Sequence, residues 1–414
     1  MKSDLDALME ERGLDALLVT GKGDHNPAMV YFTGGGHLTH ADLIKLRSAD
    51  PVLFCTPMER DEAARSGLET HDLGAYRLTE LLEQAGGDRV QAAAMRYQRM
   101  LADLGLASGR VALYGLAEAG MSYAVFNAVR QLAPELEFVG ELDDATLLLA
   151  MMTKDAGEIE RIRAMGKVTT EVVSLVAEYL ASHRADGEML VQADGSPLTV
   201  GDVKRRIYLW LAEREAEAPS GVIFAIGRDA GVPHSSGTDG DPLRMGHTIV
   251  FDITPCEAGG GYYFDLTRTW CLGYAPEPVQ ALYEDVLAVY KEMRAALQAG
   301  QHCPEYQQRT CELFQARGHP TVLENPQTTD GYVHSLGHGV GLHVHERPWF
   351  GRNASAEDRL LPGTVVTVEP GLYYPERGMG MRLEDTVWVR PDGMIEVLAE
   401  YPLDLVLPLR PRKT

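Results

Sequence analysis

The sequence predicts an α+β C-terminal domain, with a curved and largely antiparallel sheet backed by helices, preceded by a smaller α/β domain. Three observations predict this. Strand-like and helix-like stretches alternate up to about residue 150. A long amphipathic helix then opens at Asp155. Beyond it, runs with strand alternation come in pairs, separated by glycine-rich turns. The chain has 414 residues, more than one hydrophobic core usually serves. The expected division is 1–155 and 156–414.

In the first domain the strand candidates are Ala16–Thr20, Val52–Thr56, Val111–Tyr114 and Glu137–Val139. A helix between them carries Val90, Ala94, Tyr97, Leu101 and Leu104 at spacings of three and four. Gly34-Gly35-Gly36 follows a strand-like VYFT but lacks the spacing of a phosphate-binding loop, so it reads as a tight turn. In the second domain Asp155 is the expected N-cap, with Glu158 completing a capping box. Ile159, Ile162, Met165, Val168, Val172, Val176 and Leu180 form one apolar stripe behind it. Further helices are expected over Thr199–Glu217, around Val279–Leu297 up to Gly300, and over Pro304–Arg317. His247–Thr254 and Tyr262–Cys271 read as a hairpin joined through Gly259–Gly261, and Thr364–Glu369 and Gly380–Val389 as a second strand pair.

Bulk properties narrow the function. With 45% hydrophobic and 24% charged residues, the composition is that of an ordinary globular protein. A net charge of −22 argues against nucleic acid or an anionic membrane as partner. The N-terminus MKSDLDALMEERG has no apolar core of a signal peptide, and the longest apolar run, Ala145–Met152, is too short to span a bilayer. The five cysteines Cys55, Cys256, Cys271, Cys303 and Cys311 contain no CxxC pair and read as reduced thiols of a cytoplasmic protein.

The chemistry-bearing residues lie in the C-terminal domain, in the order Asp252, Asp265, His338, Glu369, Glu384. Each sits in an apolar or glycine-rich context. Two carboxylates at about 4 Å repel by roughly 4 kcal/mol at an effective dielectric near 20, and two divalent cations would cancel four negative charges. A two-metal hydrolase is the leading explanation. On the second strand of the hairpin, Asp265, Thr267 and Thr269 share a face. The segment HSLGHGVGLHVHERP supplies His334, His338, His343 and His345, with Gly337, Gly339 and Gly341 allowing close backbone approach. A mononuclear zinc site of three histidines is the rival, but it leaves the four carboxylates unexplained. In GMGMRLEDTVWV, Arg382, Glu384 and Thr386 share one face, so Arg382 can clamp carboxylates; the bland alternative is a surface ion pair. One imidazole and four carboxylates form a hard donor set that suits Mn²⁺ best, with Co²⁺ or Zn²⁺ as alternatives.

These residues resemble the pita-bread metallopeptidases, which include methionine aminopeptidases, Xaa-Pro aminopeptidases (aminopeptidase P) and Xaa-Pro dipeptidases (prolidases). The blocks FDITP, FDLTRT, HSLGHGVGLHVHERP, VEPGLYY and MRLEDT are most similar to the proline-specific branch. VYFTGG more weakly resembles the family's turn in the N-terminal domain. The resemblance implies a creatinase-like N-terminal domain, a pita-bread catalytic domain and two metal ions. Asp252 and Asp265 would hold one metal, Asp265, His338 and Glu369 the other, with Glu384 bridging. A bridging hydroxide would be the nucleophile, and Glu369 would carry the proton to the leaving amine. His234 would line the substrate pocket and His345 would contact the substrate carbonyl. Tyr373, Arg382, His334 and Trp349 would stand at the substrate or just behind the ligands. It also implies a homodimer, for which His37, His40 and Asp42 are candidate contributors to the partner's site.

Two departures stand out. The aspartates Asp252 and Asp265 are thirteen residues apart, two more than is usual in the family, so a longer hairpin tip with intact ligands is expected. In some prolidases an arginine four residues after the second histidine grips the proline carboxylate. That position is Trp349 here, so Arg347, Arg352 or Arg377 would have to substitute. Trp349, Tyr373 and Tyr374 are candidate walls of a proline pocket, with core packing the equal alternative for Trp349. The expected activity is hydrolysis of the Xaa-Pro bond at the N-terminus of dipeptides or short peptides. Aminopeptidase P activity on longer peptides is the first alternative. A non-catalytic peptide-binding relative and a metal-free amidinohydrolase of the creatinase type both call for a depleted ligand set.

Overall fold

The computed structural model describes residues 4–142 and 145–409. The chain divides into two compact units, Met1–Met151 with Gly259–Gly261, and Met152–Ala258 with Tyr262–Thr414.

The first unit is built on six strands: β1 (Ala16–Gly21), β2 (Ala41–Leu46), β3 (Val52–Cys55), β4 (Glu69–Asp72), β5 (Gly109–Leu116) and β6 (Leu136–Val139). Their order is β4-β3-β2-β1-β5-β6. The β1–β5, β5–β6 and β3–β4 pairs are parallel, whereas β1–β2 and β2–β3 are antiparallel. Helices Arg89–Asp103 and Ala119–Leu132 are capped by Asp88 and Glu118, whose carboxylates accept from free N–H groups of the first turn. Tyr97, Met100 and Leu101 on one helix and Phe126 and Val129 on the other pack with Leu18, Ile44 and Phe54 of the sheet.

The VYFT segment departs from expectation. It is the end of a helix, Pro27–Thr33. The Asn26 side chain accepts from Met29 N–H, Pro27 occupies the first turn, and Gly34 at φ 77° ends the helix. These terminal signals outweigh the β propensity of Val30, Tyr31 and Phe32. Asp42 also differs from its expected role. It lies on β2, fully buried, and accepts a 2.7 Å bond from the Tyr97 hydroxyl. It is therefore not a surface group, whereas His37 and His40 are exposed.

The second unit opens with helix Ala156–Ser182, where Asp155 and Glu158 form the reciprocal capping box. Helices Val200–Ala212, Glu277–Ala296 and Cys303–Ala316 follow. A four-stranded sheet is ordered Val222–Ile226, Thr248–Ile253, Leu266–Leu272, Val406–Leu407. A five-stranded sheet is ordered Glu346–Trp349, His338–Gly339, Val365–Val368, Asp385–Val389, Ile395–Val397. Gly371–Tyr374 and Met379–Arg382 form a separate pair. The predicted strand Gly380–Val389 is thus broken at Leu383–Glu384, and its halves belong to different sheets. Leu282, Val286, Tyr290 and Met293 of the helix pack with Val366, Val368, Leu372, Met381 and Val387 of these strands. In the hairpin, Asp252 stands opposite Thr267, and between the strands Cys256–Glu257 pairs with Ala216–Glu217. All five cysteines are buried and free. No helix among the described residues is long and apolar enough to cross a membrane.

Candidate metal centre

Four ends of strands converge on one cavity of about 670 Å³. Asp252 stands on Thr248–Ile253, and Asp265 directly precedes Leu266–Leu272. His338 begins its short strand; Glu369 directly follows Val365–Val368, and Glu384 sits in the break before Asp385–Val389. All five line the cavity, together with His234, His334, His345, Trp349 and Arg382.

The carboxylates are packed tightly. One donor atom each from Asp265, His338 and Glu384 lies within 4.8 Å of the others. His338 Nε2 is 3.6 Å from Asp265 Oδ2 and 3.3 Å from Glu369 Oε1. Asp252 Oδ2 accepts a 2.5 Å bond from Arg382 Nη2. Thr267 Oγ1 donates to Glu384 Oε2 at 2.6 Å and receives Arg382 Nε at 3.2 Å. Arg382 Nη1 donates to the Tyr373 hydroxyl at 2.6 Å, and that hydroxyl lies 2.8 Å from His334 Nε2. Behind His338, Thr367 Oγ1 accepts the His338 N–H at 3.1 Å and lies 3.4 Å from Glu369 Oε1.

The glycines of the histidine segment are required by this packing. A Cβ on Gly337 would stand 2.1 Å from the Thr367 carbonyl oxygen, and one on Gly339 2.0 Å from that of Arg347. Neither contact is sterically possible without moving a strand.

Burial, then the neighbouring carboxylates, push Asp265 and Glu384 well above the usual carboxylate range. Burial raises Glu369 to about 8, with Arg382 opposing. Burial lowers His338 to about 4, and burial with the Arg382 charge holds His334 at about 3. Asp265 Oδ1 and Glu384 Oε1 are buried without a hydrogen-bond partner. Such orphaned carboxylate oxygens are costly. They fit a cation: it would satisfy both oxygens, relieve the repulsion and take the neutral imidazole as a ligand.

Several sequence-derived positions lie elsewhere. The Tyr374 hydroxyl meets His319 Nδ1 at 2.6 Å and its ring carries Arg377, so neither lines the cavity. Arg347 donates to Asp358 at 2.9 Å and to Ser355, which ties it down away from the cavity. Arg352 lines an adjoining cavity of about 590 Å³, together with His334, Ser335 and Trp349. Lys204 and Tyr208, from helix Val200–Ala212, line the main cavity without having been singled out; a lone lysine and tyrosine on a helix carry no signal. Thr367 had one: it stands two residues before Glu369, on the same strand face.

The sequence pattern of metallopeptidase family M24 matches residues 160–391, and that of the creatinase/prolidase N-terminal domain matches residues 2–149. The chain belongs to metallopeptidase family M24. It is similar to a protein named probable dipeptidase PepE from Mycobacterium tuberculosis, 31% identical over 344 residues, which span 78% of this chain and 83% of that one. It is also similar to the Xaa-Pro dipeptidase of Pyrococcus furiosus, 28% identical over 278 residues, 67% of this chain and 71% of the relative. Among solved structures, a dipeptidase from Pyrococcus horikoshii shares the fold with a TM-score of 0.73 at 21% identity, over 97% of this chain and 98% of that one. The two-domain creatinase-like and pita-bread architecture expected from the sequence is therefore the architecture found.

Proposed function

We propose that this chain is a two-metal exopeptidase that hydrolyses the Xaa-Pro bond at the N-terminus of dipeptides or short peptides. The observation that carries the reading is the convergence of Asp252, Asp265, His338, Glu369 and Glu384 on one cavity, with buried carboxylate oxygens left unpartnered. The relative named Xaa-Pro dipeptidase supports the proline preference. In this reading Asp252, Asp265, His338, Glu369 and Glu384 would hold the two ions. Two bound cations would polarise the scissile carbonyl and acidify a water between them. Mn²⁺ suits the oxygen-rich donors best.

The protein groups divide the remaining work. Glu369, at the cavity wall, accepts the proton of the attacking water and returns it to the departing proline nitrogen. His345 presents an imidazole N–H to the carbonyl oxygen as it gains charge, and His234 lines the substrate side. The His345 ring lies 4.2 Å from that of His338, centroid to centroid. Arg382 fixes Asp252 and, through Tyr373, His334. The proline ring lacks N–H and has a fixed φ, and Trp349 offers an apolar wall for it. The protein would work in the cytoplasm as a homodimer, with domains dividing near residue 155.

The adjoining cavity, which shares His334, Ser335 and Trp349 with the main one and includes Arg352, supports a second reading, aminopeptidase P activity on longer peptides. Metal-stripped protein, resupplied with Mn²⁺, should cleave Ala-Pro, and Ala-Pro-Ala separates the two readings. A preference for the tripeptide selects the aminopeptidase. No metal-dependent release of alanine from either peptide overturns the peptidase assignment.

A further inference from the structure

We propose that Arg268, which touches no ligand side chain, is a positioning residue for the metal centre. The inference rests on the two-metal reading above. Arg268 stands on strand Leu266–Leu272, between Thr267 and Thr269, and is 1% exposed. The two threonines serve the cavity side: Thr267 Oγ1 reaches Glu384, and Thr269 Oγ1 donates to the Arg382 carbonyl at 2.9 Å. Arg268 points to the opposite side.

There its guanidinium closes the junction between two sheets. Nη1 donates to the main-chain carbonyls of Thr267 at 2.9 Å and of Glu384 at 2.6 Å. Nη2 donates to Asp385 Oδ1 and to the Tyr401 carbonyl, both at 2.7 Å. Nε donates to the Pro402 carbonyl at 2.8 Å. The Asp385 carboxylate is held from its other side by the Tyr290 hydroxyl.

The strands joined here carry two of the proposed ligands. Asp265 leads into the strand of the four-stranded sheet, and Glu384 leads into Asp385–Val389 of the five-stranded sheet. Glu384 N–H donates to the Thr267 carbonyl at 3.1 Å, and Thr386 Oγ1 donates to the Asp265 carbonyl at 2.7 Å. Arg268 adds the bond to the Glu384 carbonyl itself. The distance between the Asp265 and Glu384 carboxylates is thus set through main-chain atoms that Arg268 holds. Groups that orient ligands from behind typically govern metal affinity by ten- to a hundred-fold.

The full chain, stripped with chelator, is titrated with Mn²⁺ by calorimetry, and thermal unfolding of the metal-free protein is followed in parallel. Arg268→Lys keeps a charge for Asp385 but not the fork that reaches both carbonyls. The expected result is a folded protein whose Mn²⁺ affinity falls about ten- to a hundred-fold. Unchanged affinity, with only a lower unfolding temperature, shows a purely structural role and overturns the proposal. If Arg268→Lys fails to fold, Asp385→Ala decides the matter, since it removes the carboxylate that Arg268 Nη2 and the Tyr290 hydroxyl share. It too should bind Mn²⁺ about ten-fold more weakly, and wild-type affinity in this variant overturns the proposal. Failure of the wild-type chain to bind Mn²⁺ overturns the metallopeptidase reading instead, and this inference with it.

Discussion

Asp265 is the residue on which the proposed site depends most. It is buried between Glu384, His338 and Glu369, and one of its oxygens has no partner. Asp265→Ala should abolish turnover of Ala-Pro while the far-ultraviolet circular dichroism stays unchanged, because the side chain contributes repulsion rather than packing to the metal-free fold. His345→Ala should lower kcat by about 10²–10³, the loss typical of one donor to a developing oxyanion, with metal stoichiometry intact. A pH effect belongs to the other unit. Asp42 attracts the half-exposed His40, whose Nε2 lies 3.7 Å from Oδ2, and raises its pKa above 6.5. Burial pushes Asp42 up, but His40, Thr20 and Tyr97 outweigh it and leave the carboxyl lowered from 3.8. The His40 contribution is therefore complete below about pH 6.5 and fades as pH rises through the folded value. The Asp42 contribution is present above about pH 4 and lost on further acidification. Thermal unfolding of His40→Ala should thus differ from wild type most near pH 5–6 and least above pH 8. The five ligand candidates were legible because acids in apolar runs are rare. Tyr374, Arg347 and Arg377 were misjudged because sequence proximity to a ligand does not say which side of a strand or turn a long side chain leaves.

Elements explain how ligands far apart in sequence meet. Asp265, His338, Glu369 and Glu384 lie at or beside a strand terminus, where the ladder ends and a side chain can enter the cavity, whereas Asp252 is paired on both sides one residue before the end of its strand. The histidine segment reaches His338 only because Gly337 and Gly339 admit the carbonyls of Thr367 and Arg347 at their Cα atoms. Gly337→Ala should displace His338 and lose Mn²⁺ binding more than it loses helix content. The Asp155 capping box is a stability feature remote from the ligands, so Asp155→Ala should cost about 1 kcal/mol in chemical denaturation and leave kcat unchanged. The helices of the catalytic domain were legible from their stripes and caps to within a few residues. The strand over Gly380–Val389 was not, because alternation continues through its break; only the sheet partners reveal that Met379–Arg382 and Asp385–Val389 diverge. The helix at Pro27–Thr33 was hidden for the opposite reason: β-branched and aromatic residues suggested a strand, while Asn26, Pro27 and Gly34 supplied the helix ends.

For the whole molecule, the proposed function gathers four carboxylates in a chain already carrying a net charge of −22. Divalent cations relieve both the local and the overall imbalance, so Mn²⁺ should raise the unfolding temperature of chelator-treated protein, and the rise should continue with the logarithm of its concentration above the dissociation constant. Gel filtration of the same sample tests the homodimer, which predicts elution near twice the chain mass. The two-metal centre is examined most directly by anomalous diffraction from crystals soaked in Mn²⁺. Two peaks about 3.5–4 Å apart are expected, both within coordination distance of Asp265 and Glu384, with His338 on one of them. A single peak, or peaks away from these carboxylates, would contradict the two-metal centre.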